Sequence, residues 1–119
     1  MIDRAKLKSL MAKEQDRFLK RTPKSAALFE EAKGVMPGGV PMSWMSKWPG
    51  AYPLFAESAN GSRFTDVDGN TYFDLCLGDT GSMTGHSPAA TVDAIKNQIG
   101  KGITAMLPTA DAVAVSAEL

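Results

Sequence analysis

The chain has 119 residues, a length typical of one domain, and its 13 basic side chains equal its 13 acidic ones. This balance excludes the strong positive field of a nucleic-acid or anionic-membrane binder, so a small-molecule ligand or a protein partner is favoured. The single cysteine, Cys76, excludes an internal disulfide, the charged first 21 residues are unlike a signal peptide, and the apolar runs are short. We therefore predict a cytoplasmic protein that does not cross a membrane.

The first two predicted elements are helices. Residues 3–21 carry seven positive and three negative side chains, with apolar residues at helical spacing, which predicts a solvated amphipathic helix within residues 1–22. Thr22 followed by Pro23 is typical of an N-cap and a first helical position. The second helix is predicted to end near Gly34.

An irregular segment follows the helices. Residues 37–53 are rich in Gly, Pro, Met and Trp and have neither helical nor strand periodicity, which predicts a loop that packs its apolar side chains on other parts of the protein. The side chains of Trp44 and Trp48 are suited either to stack on an aromatic ligand or to anchor the loop.

Three antiparallel strands are predicted next, at residues 54–57, 62–67 and 71–77, with Cys76 as a core residue of the last. The carboxylates of the 66–70 turn suggest a calcium loop. Its glycine comes too early for an EF-hand, however, so we predict a hairpin turn with positive φ at Gly69 or its neighbour.

Two further helices are predicted after the strands. Ser87 and Pro88 begin the first, Gly100 and Gly102 end it, and the second runs from Pro108-Thr109 to the last residue without a stop signal. A three-stranded sheet without a second layer buries little surface. We therefore predict an α+β segment of a larger protein.

The candidate ligand-binding segment is Gly78–Ser82, which leaves the last strand. The glycine clusters lack the spacing of nucleotide loops. His86 is the only histidine, which excludes a two-histidine metal site or relay within this chain, and it is predicted to be a structural hydrogen-bonding residue at a helix start.

The order of these signals resembles the start of class III pyridoxal-phosphate (PLP)-dependent aminotransferases, in particular those similar to glutamate-1-semialdehyde 2,1-aminomutase, across about residues 25–119. The matching residues are Met36-Pro37-Gly38-Gly39-Val40, Gly61, Phe64 to Asn70, Tyr72-Phe73-Asp74, Gly85-His86-Ser87-Pro88 and Pro108-Thr109.

The resemblance implies a fold-type-I enzyme, α/β when complete, in which residues 23–119 form the first part of the aminotransferase domain. The residues that hold PLP in the family lie beyond the position matching Leu119, so no catalytic or cofactor-binding residue is assigned here. The complete protein is expected to be a homodimer that transfers an amino group between an amino compound and a keto acid or aldehyde, and the isolated chain to be inactive. The alternative is a non-catalytic interaction module, or a truncated product that pairs with a separate remainder.

The resemblance also implies substrate contacts from Trp44, Asp79 and Thr80. Met45 stands where aminomutase relatives carry an arginine that pairs with the substrate carboxylate, and Asp79 stands where they carry an aromatic residue. A methionine cannot form that bidentate pair, so either another residue holds the substrate or the substrate differs. Lys47 could supply the charge but not the planar geometry.

Overall fold

The computed structural model describes residues 2–47 and 49–119, which form helices and one antiparallel sheet of three strands that neighbour one another in chain order. The helices are α1 (Arg4–Arg21), α2 (Pro23–Lys33), α3 (Ala89–Ile99) and α4 (Ala110–Glu118), and the strands are β1 (Ala56–Asn60), β2 (Arg63–Asp66) and β3 (Thr71–Phe73). The chain divides into two compact units, Met1–His86 and Ser87–Leu119. The predicted α+β class is confirmed.

Helix α1 is an amphipathic helix on the surface of the first unit. Asp3 caps its first turn, since the Asp3 carboxylate accepts a hydrogen bond from the Lys6 amide at 3.0 Å. None of its residues is buried. The Phe18 ring lies 5.0 Å from the ring of Tyr52, and this aromatic contact joins the helix to the irregular segment.

The start of α2 is capped by a residue from the turn between β2 and β3. Pro23 has no amide hydrogen, and the amides of Lys24 and Ser25 donate to the two carboxylate oxygens of Asp68, at 2.7 and 3.0 Å. Thr22 occupies the predicted N-cap position, but its hydroxyl bonds to a carbonyl of α1 instead of to a helix amide. The predicted N-cap position of Thr22 is therefore confirmed, while Asp68 supplies the side-chain acceptors for the first helix amides.

The turn between β2 and β3 is the predicted hairpin turn, with φ of 86° at Gly69. The Asp66 carboxylate is buried and accepts hydrogen bonds from the Asp68 and Asn70 amides and from the Tyr72 hydroxyl. Asn70 also bonds to Arg21 at the end of α1. The polar atoms of this turn thus bind the sheet to the junction of the two helices.

The interior of the first unit is mostly polar. Its fully buried side chains are Thr22, Ser25 and Asp66, whereas the buried apolar residues among those described are Ala32 and Val40. A buried polar group is costly without a partner, and every buried polar side-chain atom described has one. Hydrogen bonds, more than apolar packing, define this unit.

The second unit contains α3 and α4, close to their predicted bounds. Gly100 and Gly102 follow α3, and φ of 95° at Gly102 requires glycine. Neither helix has a buried residue. No described helix combines the length and the apolar character that a membrane span requires.

Candidate substrate-binding loop

The segment between β3 and α3, residues 74–86, is called the 74–86 loop below. It begins where the Asp74 carboxylate oxygen Oδ1 accepts the amides of Cys76 and Leu77, at 2.9 Å each. This side-chain acceptor competes with sheet pairing and turns the chain out of the strand. The predicted third strand is therefore too long, because β3 ends at Phe73.

The early end of β3 changes the environment of the cysteine. Cys76 lies in the loop and is exposed, and its neighbour Leu75 is 97% exposed. The prediction of a core strand residue is wrong, because the Asp74 carboxylate ends the strand before Cys76 is reached.

Both ends of the 74–86 loop are fixed to the turn between β1 and β2. The Asp74 amide donates to the Ser62 carbonyl at 2.8 Å, and His86 and Gly61 exchange two backbone hydrogen bonds of 2.8 and 2.9 Å. At Gly85, φ is 92°, and an added Cβ would lie 3.2 Å from the Gly61 backbone. Only glycine allows this close approach without strain.

The two ends are also joined to each other. His86 Nε2 lies 2.7 Å from Asp74 Oδ2, and both side chains are mostly shielded from water. This hydrogen bond lowers the pKa of Asp74 below its ordinary value of 3.8; the amides of Leu77 and Cys76 lower it further, while burial opposes the shift. His86 is a structural hydrogen-bonding residue, as predicted, and its partner Asp74, directly after β3, is one that the sequence pattern does not indicate.

The middle of the loop has an unusual backbone. Leu77, Gly78, Asp79 and Thr80 are four successive residues with positive φ, of 49°, 65°, 50° and 76°. Each non-glycine residue in this conformation costs about 1–2 kcal/mol, and a β-branched residue such as Thr80 is a true outlier. Strained backbone of this kind is concentrated at functional sites.

Internal hydrogen bonds hold this left-handed turn. The Ser82 amide donates to the Leu77 carbonyl at 2.8 Å, and the Asp79 amide donates to the Cys76 carbonyl at 3.1 Å. The side chains of Asp79 and Thr80 are exposed. The loop thus has a defined backbone that presents two predicted site residues to their surroundings.

The third predicted site residue lies in another part of the first unit. Trp44 is in a short 3-10 turn, Ser43–Lys47, between α2 and β1, and is 48% exposed. Met45 is half-buried and Lys47 is exposed in the same turn. Trp48, the other predicted ligand-stacking or loop-anchoring residue, lies outside the described residues.

PLP is the cofactor that the resemblance implies. A lysine that bonds to a carbonyl compound such as PLP at neutral pH usually has its amino group shielded from water. Every lysine of this chain is exposed, including Lys101 between two glycines. The described residues therefore do not form a PLP site by themselves, and no reaction step through PLP is assigned to them.

The chain is similar in sequence and in fold to known enzymes. It is 42% identical over 86 residues to glutamate-1-semialdehyde 2,1-aminomutase of Methanococcoides burtonii, covering 72% of this chain and 20% of that protein. The crystal structure of a glutamate-1-semialdehyde aminomutase from Pseudomonas aeruginosa PAO1 superposes with a TM-score of 0.89 at 43% identity, covering 98% of this chain and 26% of that one. No family model matches the chain.

The chain matches the amino-terminal segment of class III aminotransferases. Its helices and antiparallel sheet are those of this segment in a fold-type-I enzyme, as predicted. It spans about a fifth of the length of the curated aminomutases that it matches.

Solved relatives of this aminotransferase segment carry the implied cofactor. A transaminase with PLP bound is 38% identical, with a TM-score of 0.70 over 77% of this chain and 21% of that one. A lysine-to-alanine variant of the Pseudomonas aeruginosa aminomutase has also been solved in complex with pyridoxamine phosphate (PMP). PLP dependence of the family is therefore confirmed, and this segment lacks the binding site itself.

Proposed function

We propose that this chain is part of a PLP-dependent transaminase or aminomutase that transfers an amino group between an amino compound and a keto acid or aldehyde. The observation that carries the proposal is the match to the Pseudomonas aeruginosa aminomutase over 98% of this chain. In this proposal residues 23–119 form the first part of the aminotransferase domain, and the protein acts as a homodimer.

Within this function, we infer that two segments supply the substrate side of the active site. They are the 74–86 loop and the 3-10 turn Ser43–Lys47, called the Trp44 turn below. The left-handed turn at residues 77–80 supports this role, because its strain is held by hydrogen bonds and presents Asp79 and Thr80. The aromatic ring of Trp44 is suited to stack on a flat substrate or cofactor. The residues that bond to PLP lie outside this segment.

Amino transfer tests the proposal directly. The protein that carries this segment together with its PLP-binding domain is loaded with PLP and mixed with amino donors, and the absorption change from the PLP to the PMP form is recorded. Conversion by at least one donor class is expected. A protein that has bound PLP but converts with no donor or acceptor class would refute the proposal.

The same assay separates the two activities. A transaminase stays in the PMP form until a keto acid or aldehyde is added, and it consumes that acceptor in equal amount to the donor. An aminomutase moves the amino group within one substrate and consumes no separate acceptor. Product and acceptor amounts, measured by chromatography, decide between them.

A further inference from the structure

We propose that Asp74 and His86 are positioning residues that hold the 74–86 loop in its substrate-binding conformation. This inference rests on the proposed function of Asp79 and Thr80. The two positioning residues need not contact the substrate, because they act through the backbone of the loop.

The first argument is the closure of the loop. Backbone hydrogen bonds attach each end separately to the turn at Gly61 and Ser62, and the 2.7 Å contact between Asp74 and His86 joins the ends to each other. The side chains of His86 and Asp74 are only 20% and 16% exposed, so water competes weakly for this hydrogen bond. The base of the loop is therefore closed by both main-chain and side-chain contacts.

The second argument is that one carboxylate forms hydrogen bonds both at the closed ends of the loop and at the start of the strained turn. Asp74 Oδ2 faces His86, while Oδ1 accepts the amides of Cys76 and Leu77. Leu77 is the first residue of the left-handed turn. An orientation of the carboxylate that satisfies His86 therefore also fixes the entry to the turn that presents Asp79.

The first experiment measures loop order by amide hydrogen exchange and mass spectrometry, in the protein that carries this segment. We expect about tenfold faster exchange in peptides within residues 75–85 for His86→Ala and Asp74→Asn, because a charge-assisted hydrogen bond is lost or weakened. His86→Gln keeps a donor and should restore part of the protection. Unchanged exchange in both His86→Ala and Asp74→Asn would overturn the inference.

A matched control separates this effect from the loss of any ion pair. Asp16→Asn removes the partner of Lys20 on α1, a contact of the same 2.7 Å length between exposed side chains. We expect this variant to leave exchange in the 74–86 loop unchanged.

The second experiment tests positioning by coupling to Asp79. The change in substrate preference caused by Asp79→Asn is measured in the otherwise native protein and in the His86→Ala variant, with bound PLP checked by absorbance. If the pair positions Asp79, the two substitutions are non-additive and the change falls to less than about half in the variant. An equal change in both backgrounds would overturn the positioning role.

These readouts separate the inference from the proposed function. If Asp79→Asn alters no substrate preference in the native background, the proposed substrate contact is wrong, and hydrogen exchange alone decides the closure of the loop. Faster exchange then supports closure by Asp74 and His86, and unchanged exchange overturns it.

Discussion

Asp79 is the most distinctive candidate site residue of this chain. It is an acidic, exposed side chain in the left-handed turn, at the position where the resemblance implies an aromatic residue. A carboxylate there repels a nearby substrate carboxylate and favours an amine or a hydroxyl group. Met45, in the Trp44 turn, stands where the resemblance implies a carboxylate-binding arginine, so either another residue binds a substrate carboxylate or the substrate differs.

The Asp79→Asn substitution tests this selectivity. Asparagine keeps the size and removes the charge, so the preference for amine-bearing over acidic donors should fall by about 1–3 kcal/mol, the range of one polar contact. The measurement is the ratio of kcat/KM values across acidic, neutral and amine-bearing donors. Asp93→Asn, on the exposed surface of α3, is the control. Equal ratios in the native protein and the Asp79 variant would show that Asp79 is only a turn residue.

At the residue scale, the sequence predicts the backbone conformation of a turn better than it predicts hydrogen bonds between residues that are far apart in the chain. Positive φ at Gly69 follows from the turn type and is confirmed. The role of Asp68 as the cap of α2 was missed, because its partners Lys24 and Ser25 are far away in the chain and only the fold brings them together. The Asp74 and His86 pair was missed for the same reason.

At the scale of elements, the capping of α2 by Asp68 makes helix and sheet interdependent. Burial raises the pKa of Asp68, but the hydrogen bonds from Lys24 and Ser25 outweigh it and bring the pKa below its ordinary value of 3.8. A carboxyl group with a lowered pKa in the folded state contributes stability above its unfolded pKa. This contribution is lost as the pH falls below 3.8 and through the folded value.

Replacement of Asp68 should therefore loosen the first turn of α2. At pH 6 we expect amide exchange in α2 to increase in the order Asp, Asn, Ala at position 68, because Asn keeps one acceptor and Ala keeps none. The difference between Asp68 and Asp68→Asn should shrink as the pH falls through the folded pKa, after correction for intrinsic exchange rates.

A control distinguishes a specific cap from a general charge effect. Asp111 lies in the first turn of α4, and Asp111→Asn should leave exchange in α2 unchanged. Equal exchange in the native protein and Asp68→Ala would show that Asp68 does not support the helix.

The element boundaries show where periodicity stops being informative. Helices α3 and α4 lie close to their predictions because glycine, proline and threonine mark their ends. The predicted third strand extended to Leu77 because its apolar residues continue the strand pattern. The Asp74 side chain ended it earlier by accepting two backbone amides, an event that hydrophobic periodicity does not report.

At the scale of the whole molecule, large apolar side chains remain exposed in both units. Away from the ends of the chain, some of the most exposed are Leu75, Met106 and Leu107, whose exposed fractions are 97%, 101% and 80%. Phe73 on the sheet and Val113 on α4 are 65% and 73% exposed. Leu54 and Phe64 are half-buried, and the Phe64 ring stacks on the ring of Tyr72.

This exposure predicts the behaviour of the 119-residue chain when it is produced alone. Few apolar side chains are buried in the described residues, so the hydrophobic free energy that offsets chain entropy is small. We expect self-association or a broad thermal transition, together with strong binding of a hydrophobic dye. A longer protein, in which this segment is joined to the domain that follows it in its relatives, should have a sharper transition and bind less dye. The exposed apolar faces of both units would then gain a covering layer. Calorimetry combined with light scattering checks this, and a sharp cooperative transition from a monomeric 119-residue sample would contradict it.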